Sequence, residues 1–241
     1  MSDAQAAAAA QRLLSGAREV RSLRLRLKGI AREGLKKSDF EQVLVFSRPD
    51  KLRLEVFATS LHRLQNIFVA SSGAIKAIDF DQARAYSGDA DEENVSRLLS
   101  LPFSLEQAML WFAGRFVPPQ RAELRTRSLY LSADRKQSVL ELAYSDDRVY
   151  RLRFEERARG WLSALELRTL LSDELLFYSE YRYPDSTSGA VAVPTAMTLK
   201  TPDVALEFTV ESAEVNLPLT ADKASVFELD LPANMPVSQL D

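Results

Sequence analysis

The sequence predicts a mainly β protein of the α+β class. It would be a single curved antiparallel sheet of about ten or eleven strands, forming a half-open barrel closed by short helices. Three observations lead there. Apolar and charged residues alternate with a period of two along most of the 241 residues, the signature of half-buried strands. The alternating runs are separated by short turn-forming stretches, which join antiparallel neighbours. A strongly apolar helical stretch at 91–116 interrupts them after the sixth run. So many antiparallel strands curl instead of lying flat, and a curled sheet with an apolar concave face has to be filled.

Taken in order, residues 4–19 form an alanine-rich helix. "SLRLRLKGI" then puts Leu23, Leu25 and Leu27 on one face and Arg24, Arg26 and Lys28 on the other. "FEQVLVFSRP" and "KLRLEVFA" follow, broken by a turn at Pro49-Asp50, residues that favour turn positions. Further strands are expected at 65–71, at "AIKAIDF" and around "ARAYSG". In the interruption, two short helices flank Leu101-Pro102. Ser104 is the N-cap of the second, and Gln107 completes a capping box. Leu105, Ala108, Met109 and Phe112 follow helical spacing, Leu110 and Trp111 widen the apolar surface, and Gly114 is the stop. Strand periodicity resumes in "ELRTRSLYLSA", "SVLELAY", "VYRLRFEE", "WLSALELRTL", "LLFYSEYRYP", "AMTLKT" and "VALEFTVESAEVN". The proline-punctuated tail "LPLTADKASVFELDLPANMPV" is expected along the sheet edge. Residues 1–20 read as a helix or tether, and 20–241 as one domain with its lid at 91–116.

Composition excludes several classes. Hydrophobic residues at 46% and charged residues at 27% exclude wholesale disorder. The net charge of −3, from 31 basic and 34 acidic residues, lacks the basic excess of a nucleic-acid binder. With no cysteine, thiol catalysis, disulfides and cysteine-ligated zinc are out. No apolar run is long enough for a membrane-spanning helix, and the opening "MSDAQAAAAAQRLL" is not a signal peptide.

The candidate chemistry points to binding. His62, the only histidine, has no nucleophile pattern beside it and cannot by itself build a multi-histidine metal site. It reads as a solvated loop histidine. The acidic pairs Asp79/Asp81, Asp91/Glu92/Glu93 and Asp146/Asp147 sit at turns and helix starts, where acids are expected on local grounds. No glycine-rich phosphate cradle or G-x-S-x-G occurs. Neither metal nor cofactor is therefore expected, nor enzymatic activity. Large apolar walls with few polar anchors suit an apolar ligand. Alternation assigns the wall to Leu25, Leu27, Val43, Val45, Leu54, Val56, Leu105, Met109 and Phe112, with Trp111 at the rim.

The order "FSRPDKLRLEVF", "ASSG", "ARAYSG" and "LLSLPFSLEQAMLWFAG", with the ending "EVNLPLTADKASVFELDLPANMPV", resembles the LolA/LolB-like superfamily of periplasmic lipoprotein carriers and outer-membrane lipoprotein receptors. The resemblance runs over residues 20–237, and the helix leans it toward the LolB-like branch. It implies a half-barrel whose lid covers a cavity for lipid acyl chains. It also implies a periplasmic location, with an outer-membrane anchor through an N-terminal lipidated cysteine that this sequence lacks. In receptors the loop after the third strand presents a leucine to the membrane. Its counterpart is Leu61, flanked here by Ser60 and His62 where the family pattern has proline and glycine. Arg48 resembles a carrier arginine that hydrogen-bonds the lid, a turn arginine being the alternative reading.

The leading expectation is thus a non-enzymatic lipid- or lipoprotein-binding protein of the bacterial envelope. Its partners would be acyl chains or lipoproteins, the inner leaflet of the outer membrane and a periplasmic carrier protein. The alternative is an envelope stress sensor or assembly scaffold that uses the same fold to bind protein partners.

Overall fold

The computed structural model describes residues 3–60, 62–118, 125–131, 137–144, 147–154, 161–184, 191–218 and 225–240. Three helices, α1 (Asp3–Arg18), α2 (Glu92–Leu99) and α3 (Leu105–Phe112), accompany fourteen strands. Before α2 come β1 (Ser22–Glu33), β2 (Lys36–Ser47), β3 (Lys51–Ala58), β4 (Arg63–Ser71), β5 (Ala74–Asp79) and β6 (Arg84–Asp89). After α3 come β7 (Arg125–Leu131), β8 (Ser138–Ala143), β9 (Arg148–Phe154), β10 (Leu162–Thr169), β11 (Leu175–Arg182), β12 (Ala196–Lys200), β13 (Ala205–Val215) and β14 (Val237–Gln239). They form one unclosed sheet in the order β14-β6-β5-β4-β3-β2-β1-β13-β12-β11-β10-β9-β8-β7. The chain is mainly β, with more strands than the ten or eleven expected. Each alternating run is a separate strand, and the tail adds β14, three residues with no alternation to betray them. β14 pairs in parallel with β6, so the sheet is not wholly antiparallel.

The chain divides into two compact units. Unit one is Met1–Val20, Ala31–Lys37 and Leu110–Phe208; unit two is Arg21–Ile30, Ser38–Met109 and Thr209–Asp241.

Unit two is the meander from β2 to β6 with α2 and the start of α3. Its core contains Leu23, Leu25, Leu27, Leu44, Phe46 and Leu52, all essentially inaccessible. Gly29 in β1 leaves room for the Phe40 ring, which lies 2.1 Å from where a Cβ would stand. Helix α2 starts where Asp91 accepts a hydrogen bond from the Asn94 amide at 2.8 Å, satisfying an orphan donor of the first turn. At α3 the capping box forms as the spacing predicts. Gln107 Oε1 accepts from the Ser104 amide at 3.0 Å, and Ser104 Oγ accepts from the Gln107 amide at 3.4 Å.

Unit one runs antiparallel from β7 to β12, with α1 packed on β7 and β8 through its buried Leu13 and Ala17. On β10, the buried Glu166 carboxylate takes Arg153 Nη2 and Arg168 Nε, each at 2.6 Å. Two cations and hydrogen bonds on both oxygens are what a buried carboxylate needs. The end of α3 is a Schellman motif: Arg115 N–H reaches Leu110 O at 2.9 Å and Gly114 N–H reaches Trp111 O at 2.9 Å. The turn requires φ = +65° at Gly114. The Arg115 side chain, 1% exposed, then donates to Gly16 O (3.3 Å), Ala113 O (3.1 Å), Gly114 O (3.3 Å) and Ala192 O (2.7 Å).

A Cβ on Gly114 would also lie 2.2 Å from Tyr183 Oη. Gly114→Ala therefore combines left-handed strain with a clash and should lower stability by roughly 2–4 kcal/mol. Urea unfolding should show a lower midpoint at unchanged m-value; an unchanged midpoint would remove this account of the helix end.

Candidate functional site

Unit two contains a cavity of about 320 Å³ between β1, β2, β3 and the C-terminal segment. The β2–β3 register decides its chemistry. Val43 pairs with Glu55 and Val45 with Arg53, whereas Leu44 pairs with Leu54 and Phe46 with Leu52. Cross-strand partners share a face, so Val43, Val45, Arg53 and Glu55 line the cavity from one side of the sheet. Leu44 and Leu52 are buried on the other, and Phe46, buried as well, also contributes to the cavity lining.

Leu217 and Val226 supply the opposite wall, and the described residues around each are tied to the strands by hydrogen bonds. Ser22 Oγ donates to Leu217 O at 3.1 Å. Asn216 Oδ1 accepts from the Arg21 amide at 2.7 Å. Arg53 Nη1 reaches both Val226 O and Glu228 O at 3.2 Å, while its Nε and Nη2 hold Glu55 Oε1 at 2.7 and 2.6 Å. Lys76 Nζ donates to Leu229 O at 3.0 Å. The cavity lining thus combines valines and Leu217 with Ser22, Arg24 and the Arg53–Glu55 ion pair. Its apolar part offers an apolar ligand a wall.

The predicted wall residues do not share one face. Leu25 and Leu27 are buried in the core of unit two. Leu54 and Val56 lie on the Leu44 face, half-buried, and Val43 and Val45 lie on the reverse. Grouping all six on one wall therefore needs correction. The run Val43-Leu44-Val45-Phe46 is apolar on both faces, and the polar residue that should mark the outside, Gln42, is itself buried. A bulge between Val56 and Phe57 in the β3–β4 ladder shifts the register again.

On α3, Leu105 and Met109 are buried in unit two, and Phe112 is buried in unit one. Trp111, expected at a rim, is 1% exposed at the centre of an aromatic cluster. Its ring meets Phe112 at 4.6 Å, Phe177 at 6.3 Å and Phe208 at 6.0 Å, all edge-to-face. That geometry suits the opposite signs of ring edge and face. Arg48 Nη2 lies 2.5 Å from Glu106 Oε1, in the first turn of α3. An acid in the first turn also complements the helix dipole.

Leu61 lies outside the described residues. His62 has φ = +45° and a side chain 75% exposed, with Nδ1 3.8 Å from Glu41 Oε2. The acids do local work: Asp79 Oδ1 accepts from the Asp81 and Gln82 amides at 2.9 Å, and Asp81 pairs with Arg63. Among the described residues, no group of three or more acidic or histidine side chains is placed to hold a metal. Sequence reasoning missed the Arg53 clamp and the tail's path over the face of β2 and β3. The charged pair at 53 and 55 opposite two valines was the available signal.

No protein-family model matches the sequence, and comparison with curated proteins finds no match. Solved structures do match. A domain described as an outer membrane lipoprotein-sorting protein, from Vibrio parahaemolyticus, aligns with a TM-score of 0.60 at 10% identity, covering 89% of this chain and 94% of that one. A DUF1329 family protein from Desulfovibrio piger aligns at 0.59 and 8% identity, over 92% and 96%. A LolA superfamily protein from Nitrosomonas europaea aligns at 0.55 and 12% identity, over 88% and 98%. At these identities it is the architecture that is shared. The chain shares its fold with these structures, one of them a LolA superfamily protein.

Proposed function

We propose that the chain is a non-enzymatic lipid- or lipoprotein-binding protein of the bacterial cell envelope. It holds acyl chains in apolar space for lipoprotein localisation or lipid transfer to the outer membrane. The observation that carries this reading is the cavity of about 320 Å³ with Val43, Val45, Leu217 and Val226 in its wall, in a fold shared with a lipoprotein-sorting domain. Burying an acyl chain yields about 0.8 kcal/mol per methylene. A chain of about ten methylenes therefore supplies roughly 8 kcal/mol before the entropy of ordering is subtracted. Such a site needs no directional chemistry, and Arg53 and Glu55 in its wall are engaged with each other. In this role the protein works in the periplasm, receives lipoproteins from a carrier and passes them to the inner leaflet of the outer membrane.

The first turn of α3 is tied by Arg48–Glu106, whose side chains are 21% and 17% exposed, so the pair is screened less than a surface ion pair. Met109, in the next turn, is anchored in the core.

Native mass spectrometry of the purified protein should find co-extracted lipid or detergent, and a fluorescent fatty-acid probe should bind. Val45→Arg, which places a charge on the cavity wall, should weaken probe binding about tenfold or more with little change in Tm. An empty wild-type chain that also fails to bind the probe would refute the reading. For the Arg48–Glu106 pair, a double-mutant cycle of Arg48→Ala and Glu106→Ala should return a coupling of about 1–2 kcal/mol in urea unfolding, largely retained in 1 M salt. Strictly additive single effects would show that the pair ties nothing.

A further inference from the structure

Among the described residues, two large apolar side chains are almost wholly in solvent, Leu35 at 106% and Leu171 at 94% relative exposure. Each stands at the tip of a hairpin in unit one, and neither is needed by its own turn. The β1–β2 connection is the two residues Gly34-Leu35, with Gly34 at φ = +57°. That is the pattern of a type II′ turn, which asks only for glycine at its first central position. The β10–β11 connection is closed by other residues. Thr169 Oγ1 meets Ser172 Oγ at 2.6 Å and accepts from the Glu174 amide at 3.0 Å, and the Thr169 amide donates to Glu174 O at 3.0 Å. Leu171 sits outside that network.

The two tips share one end of the strands. Arg32 Nη2 faces Glu207 Oε1 at 3.2 Å, so β13 begins beside the hairpin end of β1. The turn 201–204, closed by Thr201 N–H to Val204 O at 2.9 Å, brings β12 to the same end. Lys200 there pairs with Tyr178 of β11, and the 170–174 connection lies just beyond. Between the hairpins run three strand spacings, roughly 15 Å.

We infer that this end of unit one docks on a lipid bilayer by inserting Leu35 and Leu171. The spacing selects that occupant. A protein partner wants a contiguous apolar core inside its footprint, whereas these leucines are separated points with charged residues between and around them. A fluid bilayer accepts single side chains at separate points. The surrounding charges also match a headgroup layer with both signs. Lys36 and Lys200 are exposed beside Glu33 and Glu174, and Asp173 is already held by Arg151 at 2.9 Å and Arg168 at 3.4 Å. Attachment by insertion depends little on salt. The surface is independent of the acyl-chain cavity in unit two.

The test is flotation of the full chain with vesicles of phosphatidylethanolamine and phosphatidylglycerol at 50 mM and 500 mM salt. The wild type should float at both. Leu35→Asn and Leu171→Asn should each lower the partition coefficient several-fold, and the double variant about tenfold or more, with Tm and fatty-acid-probe binding unchanged. A Leu35→Trp reporter should shift its emission to the blue on adding vesicles and be quenched by brominated lipid. Failure of the wild type to float, equal flotation of the double variant, or a Trp reporter that stays solvent-exposed would overturn the proposal. Loss of probe binding in the wild type would instead remove the cavity reading and leave this one standing.

Discussion

Arg115 is buried and places its charge on four backbone carbonyls. Burial lowers the pKa of its guanidinium, countered by Tyr183 and Glu19, and an isolated buried cation is costly. Four carbonyl oxygens and the face of Trp161, 5.7 Å from the guanidinium carbon, offset that cost. The carbonyls come from α1, from the turn after α3 and from the segment before β12. One planar fork with five donors therefore ties together parts of unit one that are far apart in sequence. Tyr183 Oη, donating to Gly114 O at 3.1 Å, closes the same knot. The position of Trp111 follows, since it lies three residues before the glycine that this knot holds.

The other constraint is the two-residue period of the strands. In unit two it makes a sheet with two useful faces. One is filled by leucines and phenylalanines. The other carries valines flanked by the Arg53–Glu55 ion pair and faces Leu217 and Val226 of the C-terminal segment, whose carbonyl oxygens accept hydrogen bonds from the strands. A segment bound by hydrogen bonds from Ser22, Arg53 and Lys76 leaves side-chain space beneath it. A segment bound by interdigitating side chains would have filled that space.

Much of the fold was legible in particular residues. Leu23, Leu25 and Leu27 point inward as their alternation with Arg24, Arg26 and Lys28 requires. The Ser104/Gln107 box and the Gly114 stop bound α3 because these are local hydrogen-bonding needs of a helix end. The site was less legible. Val43 to Phe46 offers no polar residue to tell inside from outside, so the faces of β2 were ambiguous until pairing with β3 resolved them. Trp111 looked like a rim residue because widening an apolar stripe on a helix does not say whether Phe177 and Phe208 arrive to cover it. β14 left no trace, as three residues pairing with an edge strand need no period at all.

By itself the sequence determined what is local: strand period, helix caps, turn glycines, and the exclusion of thiol chemistry by the absence of cysteine. The tertiary structure alone decided which face of β2 meets the cavity, where the tail lies and which carbonyls receive Arg115. The physical reason is range. Periodicity and capping are settled within a few residues, so they are written in consecutive letters. Register, tail placement and the burial of a charge depend on partners tens to nearly two hundred positions away, and only the folded chain brings those together.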